Sequence, residues 1–261
     1  MKYKPIILLW LCILFISSSV YAKSQSAMGE LDQLADEALQ FTRVGRYEDA
    51  KGLLERFGVL FSKTRIADQP LTMDELRIVT AAHHDALKAI TNVSLNQEDR
   101  IRRVTAFRLA TDAVTSKYQP LWSDMEKPVM DAFQQVKNAA LEGDADLYNL
   151  QLNEFLATYS VIQPSIKIDI PVDKVQKLDS KITYLDRYRS RVSEQSWMKE
   201  LESFEADLKS LFAEINKDDL DPSIWWVIIM TGSIIVTTLS YVSWRKYKGQ
   251  KLQKKTRDPI D

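Results

Sequence analysis

Between residues 30 and 220 the apolar positions of this chain recur at intervals of three and four rather than two, the spacing that lines one face of an α-helix. The pattern predicts a first helix from about Glu30 to Arg43, carried by Leu31, Leu34, Ala35, Ala38, Leu39 and Phe41 and broken at Val44-Gly45-Arg46. A second begins near Tyr47, with Ala50, Leu53, Leu54, Phe57, Leu60 and Phe61 in one stripe, so that the two make a helical hairpin. Thr72 and Glu75 read as a capping box, in which the threonine hydroxyl accepts an orphan N–H while the glutamate reaches back. It opens a helix with Leu76, Val79, His83 and Leu87 on one face, ending near Asn92. Asn96, with Glu98 and Asp99 in the next turn, starts a fourth helix that stops before Gln119-Pro120.

From about Ser123 the pattern begins again. It predicts a helix to Glu142, a break at Gly143-Asp144, a helix to about Ser160, an extended link bracketed by Pro164 and Pro171, and helices near 172–190 and 194–217. An offset near 98 pairs Gly45 with Gly143, Phe57 with Phe155 and Phe61 with Tyr159, and a slip of one pairs Val93-Ser94 with Val192-Ser193. The expectation is an all-α bundle of helical hairpins, arranged either as two divergent four-helix halves, 30–120 and 121–220, or as helices whose lengths merely coincide. Short connections favour antiparallel neighbours. Residues 39–50 also resemble the helix-turn-helix of a tetratricopeptide repeat, but no 34-residue copy follows, so a single hairpin inside a larger bundle is the better reading.

The two ends follow other rules. Residues 1–22 place Lys2 and Lys4 before an apolar run from Ile6 to Ile16 and close on small residues up to Ala22, the order of a secretory signal peptide. The run is too short to span a bilayer, which takes about 20 apolar residues, so cleavage after Ala22 is expected. Cys12, the one cysteine, follows Trp10 and Leu11 rather than the small residues of a lipoprotein signal, and the mature chain would hold no thiol for disulfides, catalysis or metal. Residues 223–244 carry no charge and reach about 33 Å as a helix, enough for one transmembrane span. Trp225 and Trp226 stand at one end and Tyr241 and Trp244 at the other, as interface anchors do.

Charge turns this layout into a topology. The net charge is −1, but residues 1–22 hold +2 and the basic tail 245–261 holds +5, leaving about −8 on residues 23–222. Positive segments stay in the cytoplasm, so the tail is expected inside and the acidic helical domain outside. An acidic exterior argues against nucleic acid as a ligand and suits a basic protein partner in the envelope. The tail can lie on anionic lipid, although its role as a stop-transfer signal suffices to explain it, and it is too short for an output domain. Composition agrees with a globular helical chain, at 45% hydrophobic and 27% charged. Seven glycines are under half the average usage of about 7%, which leaves little material for phosphate-cradling loops.

Candidate chemistry is sparse. His83 and His84 are the only histidines, and neighbours on a helix point about 100° apart, so they do not chelate one metal; His83, on the apolar stripe, reads as a core histidine. Arg100, Arg102, Arg103 and Arg108 share one helix. Arg100 and Arg103, a turn apart, could receive an anion or a partner, while the plainer reading pairs these arginines with Glu98, Asp99 or acidic faces of adjacent helices. Arg187, Arg189 and Arg191 read as solvated surface, and Trp122 and Trp197 as packing. No G-x-S-x-G, Walker loop or G-x-G-x-x-G is present, so no catalytic, cofactor or metal residue is assigned and no cofactor is expected.

Four runs, GRYEDAKGLLERF (45–57), MDELRIVTAAHHDAL (73–87), EDRIRRVTAFRLATDAV (98–114) and QPLWSDMEKPVMDAF (119–133), lie inside this signal-and-anchor frame. Together they resemble the YpjB family of sporulation proteins over most of the chain. The resemblance implies a membrane protein of endospore-forming bacteria, made in the mother cell during spore formation. It brings no catalytic or binding residues. Joined to the topology, it implies an acidic helical domain projecting from the engulfing membrane into the space facing the forespore. The leading expectation is a single-pass, non-enzymatic envelope protein acting by surface complementarity. A ligand-sensing ectodomain that signals through a partner, or an envelope hydrolase, is the alternative, and self-association is left open.

Overall fold

The computed structural model describes residues 27–64, 71–116, 119–215 and 222–255. Among these the expected all-α class holds, with nine α-helices and no strand. In chain order they are α1 (Ala27–Arg43), α2 (Tyr47–Thr64), α3 (Met73–Thr91), α4 (Gln97–Thr115), α5 (Glu126–Glu142), α6 (Ala145–Asp169), α7 (Val172–Arg187), α8 (Gln195–Ile215) and α9 (Pro222–Lys255). Single 3₁₀ turns, Leu121–Met125 and Arg189–Ser193, precede α5 and α8. The chain divides into two compact units, Met1–Thr115 with Leu156–Val175, and Ser116–Phe155 with Gln176–Asp261.

In the first unit α1 packs on α2 and α4, and α3 on α2 and α4, so the four helices close into a ring. The stripes foreseen on α1 and α2 supply its core: Leu31, Leu34, Ala35 and Ala38 meet Ala50, Leu54 and Phe57, with Val79, Ala82, Ala86, Val104, Phe107 and Ala110 from the other pair. Repeated alanines let helix axes approach closely, because the separation is set by the side chains at the contact. The turns are local chemistry. Gly45 takes φ 77° after α1, a left-handed conformation that an L side chain adopts only with strain. The Thr72 hydroxyl accepts the Glu75 N–H at 3.2 Å while the Glu75 carboxylate accepts the Thr72 N–H at 2.6 Å, completing the capping box.

One expectation fails. Residues 161–169 are helix rather than an extended link, and α6 runs through Pro164. Proline removes one backbone hydrogen bond and clashes with the preceding turn, at about 3 kcal/mol. Against that, Ile162, Ile166 and Ile170 recur every fourth position across the proline and are all buried, each contributing about 1.5–3 kcal/mol. The apolar spacing outweighs the breaker.

The second unit uses large rings where the first uses alanine. Phe133, Phe155 and Phe204 meet edge to face at 5.1, 5.1 and 5.8 Å between centroids. Trp122 and Trp197 are fully enclosed, as their reading as packing residues requires; Trp122 tilts on Phe212, and Trp197 donates its indole N–H to the Tyr148 hydroxyl at 3.2 Å. Gly143, φ 71°, ends α5 as Gly45 ends α1. Lys137 and Lys209 hold Glu205 at 2.5 and 2.6 Å, and Lys177 and Lys181 hold Asp207 at 2.7 and 2.5 Å, tying α8 to α5 and α7.

Electrostatics closes the first ring. Arg108 of α4 is buried and reaches across to α1, where its Nη1 lies 2.8 Å from Asp32 and its Nε 3.4 Å from Asp36; Asp112 stands at 3.8 Å. Arg108 is buried, but the Asp32 and Asp36 carboxylates that it would leave behind are partly exposed to water, so Arg108→Ala in the full chain in detergent is expected to lose about 1–3 kcal/mol in urea unfolding. Asp36→Asn, at a half-exposed group, should lose less than about 1 kcal/mol.

His83 gives the fold a pH dependence. Its Nε2 lies 2.7 Å from the Leu54 carbonyl, the ring stacks on Phe57, and Gly58 leaves it room: a Cβ there would sit 3.1 Å from His83 Cε1. Burial pushes its pKa below the usual 6.5, against the Leu54 bond that raises it, with His84 beside it lowering it further. The folded chain thus resists a proton that the unfolded chain accepts near 6.5. Stability is fully present above that pH and falls as pH drops through it, until the folded histidine also titrates. Chemical unfolding at stepped pH should show this decline, and His83→Gln, which keeps a donor for Leu54, should flatten it.

Candidate functional site

The arginines of α4 part company in the structure. Arg102 bridges Glu98 and Asp99, both at 2.8 Å, and its hydrogen bond is the chief cause holding the Asp99 carboxyl below the ordinary range. Arg108 belongs to the clasp with α1. The plain ion-pair reading describes these two; Arg103 only adds a weaker attraction to Asp99 with no ion pair, and Arg100 has no carboxylate within 4.0 Å.

Arg100 is 9% exposed, its guanidinium rests 4.3 Å over the Tyr47 ring, and its Nη2 donates to the Asn92 carbonyl at 2.7 Å. Its Nε is buried without an acceptor. Among the described residues, every other lysine or arginine that is buried or half-buried has a carboxylate within 4.0 Å; Arg100 has none. Taking a cation out of water without a counter-charge costs several kcal/mol, which the aromatic face and one carbonyl offset only in part.

Arg103, one turn further along α4, is exposed and lines a groove of about 470 Å³ with Asp85, Lys88, Ala89, Asn92 and Leu95. Asp85 and Lys88 stand one turn apart on α3, and Asn92 is the residue that caps its end. No ion pair joins Asp85, Lys88 or Arg103 to any described residue, so the groove keeps two cations and a carboxylate apart. The sequence suggested Arg100 and Arg103; the structure puts Arg103 in the groove wall and Arg100 beneath the turn that ends at it. Asp85 and Lys88 were not foreseen, although their spacing with Asn92 was available as a signal. A second groove, about 380 Å³, lies between α3 and α6 and is mainly apolar, with Ile78, Ala81, Ala82 and Pro164 along it.

Elsewhere the chemistry is self-contained. Arg189 pairs with Asp186, and Arg191 lies 3.5 Å from Glu194 and donates to the Tyr184 hydroxyl at 3.3 Å. No cluster of metal-ligating residues occurs among the described residues.

The C-terminal helix is different in kind. Its segment Trp226–Lys248 has a mean hydropathy of 1.6 and none of it is buried, so it is long and apolar enough to cross a membrane. Trp226, Tyr241 and Trp244 are exposed, and Lys248 sits 4.9 Å over the Trp244 ring; the side chain of Trp225 lies outside the described residues. The hydroxyls of Ser233, Thr237 and Thr238 donate to carbonyls of their own helix, as an apolar surrounding demands. The helix continues into the basic segment as far as Lys255. The expected signal peptide, residues 1–22, lies outside the described residues.

The family model for Sporulation protein YpjB (SpoYpjB) matches residues 28–256. The protein YpjB of Bacillus subtilis (strain 168) is 33% identical over 261 residues, covering 99% of each chain. No solved structure matches. A match that runs from the first helix of the ring into the basic end of α9, at that identity and coverage, shows that the chain belongs to the YpjB family of sporulation proteins.

Proposed function

We propose that this protein is a single-pass membrane protein of the cell envelope that serves endospore formation by binding a basic protein partner through its acidic helical domain. The observation that carries the reading is the segregation of charge on either side of one charge-free helix, about −8 before it and +5 after it. The positive tail stays inside, the acidic domain faces outward, and residues 1–22 act as the export signal. In a sporulating cell the membrane is the engulfing membrane of the mother cell, and the domain projects toward the forespore. Its mechanism is complementarity of charge and shape, which steers encounter and selects the partner, rather than chemistry on a substrate. The excess of carboxylates over cations in residues 23–222, about −8, supports this reading, since one-to-one ion pairing within the domain leaves it unneutralised.

Cross-linked affinity capture of the full-length protein from sporulating cells tests it, against a control with the same signal and span but an unrelated ectodomain. A basic envelope protein enriched only with the native ectodomain, and released as ionic strength screens the contact, is the expected result. Enrichment of nothing at good capture yield, or of an acidic protein that high salt does not release, would contradict it.

A further inference from the structure

We infer that the groove between α3 and α4 binds a free α-amino acid, with its carboxylate on Arg103 and Lys88 and its ammonium on Asp85. This goes beyond the partner-binding reading and does not depend on it. The volume, about 470 Å³, falls within the range of about 300–1,000 Å³ typical of small-molecule sites. Its wall carries both signs of charge with no ion pair within 4.0 Å among them, Arg103 adding only a weaker attraction to Asp99.

The cationic end is reinforced from below. Among the described residues Arg100 is the one enclosed cation without a carboxylate within 4.0 Å, and its bond to the Asn92 carbonyl fixes the end of α3 where the groove closes. Its charge adds to the potential beside Arg103, so Arg100 is a positioning residue rather than a contact. A guanidinium fork takes a carboxylate through two parallel N–H donors, and the Asn92 amide offers further donors beside it. Asp85 decides the ligand class. A phosphate or a simple carboxylate would meet it as a like charge and leave it unused, whereas a zwitterion satisfies both ends. Ala89 and Leu95 give a short apolar surface for the Cα and side chain.

Titration calorimetry of the purified full-length chain in detergent is the test, with glycine, L-glutamate and L-lysine as probes and acetate, inorganic phosphate and ethylamine as single-charge controls. Saturable binding of at least one amino acid is expected, about tenfold or more tighter than any control. Arg103→Gln and Asp85→Asn should each weaken it about tenfold or more while the melting temperature stays unchanged, because both side chains are exposed. The inference is overturned if no amino acid binds saturably at millimolar concentration, or if binding survives both substitutions. It is equally overturned if acetate or phosphate binds as tightly, with Asp85→Asn strengthening rather than weakening the contact.

Discussion

A helical hairpin with one apolar stripe cannot bury it alone, and the contact that resolves this in the first unit is the return of α4 onto α1. That contact joins residues more than seventy positions apart, so it carries the largest chain-closure cost in the ring, and everything inside depends on its being made. Small alanines allow the approach and the Arg108 clasp fixes its register, since only one rotation of α4 brings the guanidinium to Asp32 and Asp36 together. The same rotation sets where Arg100 and Arg103 go. Arg100 is carried beneath the end of α3 and Arg103 to its edge, so the groove follows from how the bundle closes.

Most of this architecture was legible because it is written in short-range signals. The capping box at Thr72, the stripes of α1 and α2 and the enclosed tryptophans all rest on residues within a turn or two of each other. Pro164 misled for the same reason: a local breaker was weighed without the isoleucines at 162, 166 and 170, whose burial appears only when the helix has a core to face. The arginines of α4 were beyond a one-dimensional reading. Arg100, Arg102, Arg103 and Arg108 look alike in sequence, and what separates them is the partner each meets in three dimensions: a ring, two acids of its own helix, a groove, and a neighbouring helix.

The functional picture draws on a different scale of physics. Packing explains why the domain is stable, but it does not say where the domain sits. The placement proposed above rests on a charge-free, exposed helix followed by lysines and arginines, and on the acidic balance of what precedes it. Membership of a sporulation family gives this layout its setting. The acidic surface and the small mixed-charge groove are separate features, one broad and one local, and the first can act whether or not the second is filled.

The proposed function requires the acidic domain to lie outside the membrane and the basic tail inside. Single cysteines introduced at Lys199, exposed on α8, and at Lys246, past the apolar segment, in a chain with Cys12→Ser, report this directly when intact cells are treated with a membrane-impermeant maleimide. Labelling at 199 in intact cells, with 246 labelled only after permeabilisation, is the predicted result. Labelling at 246 with 199 protected would reverse the topology and contradict the account.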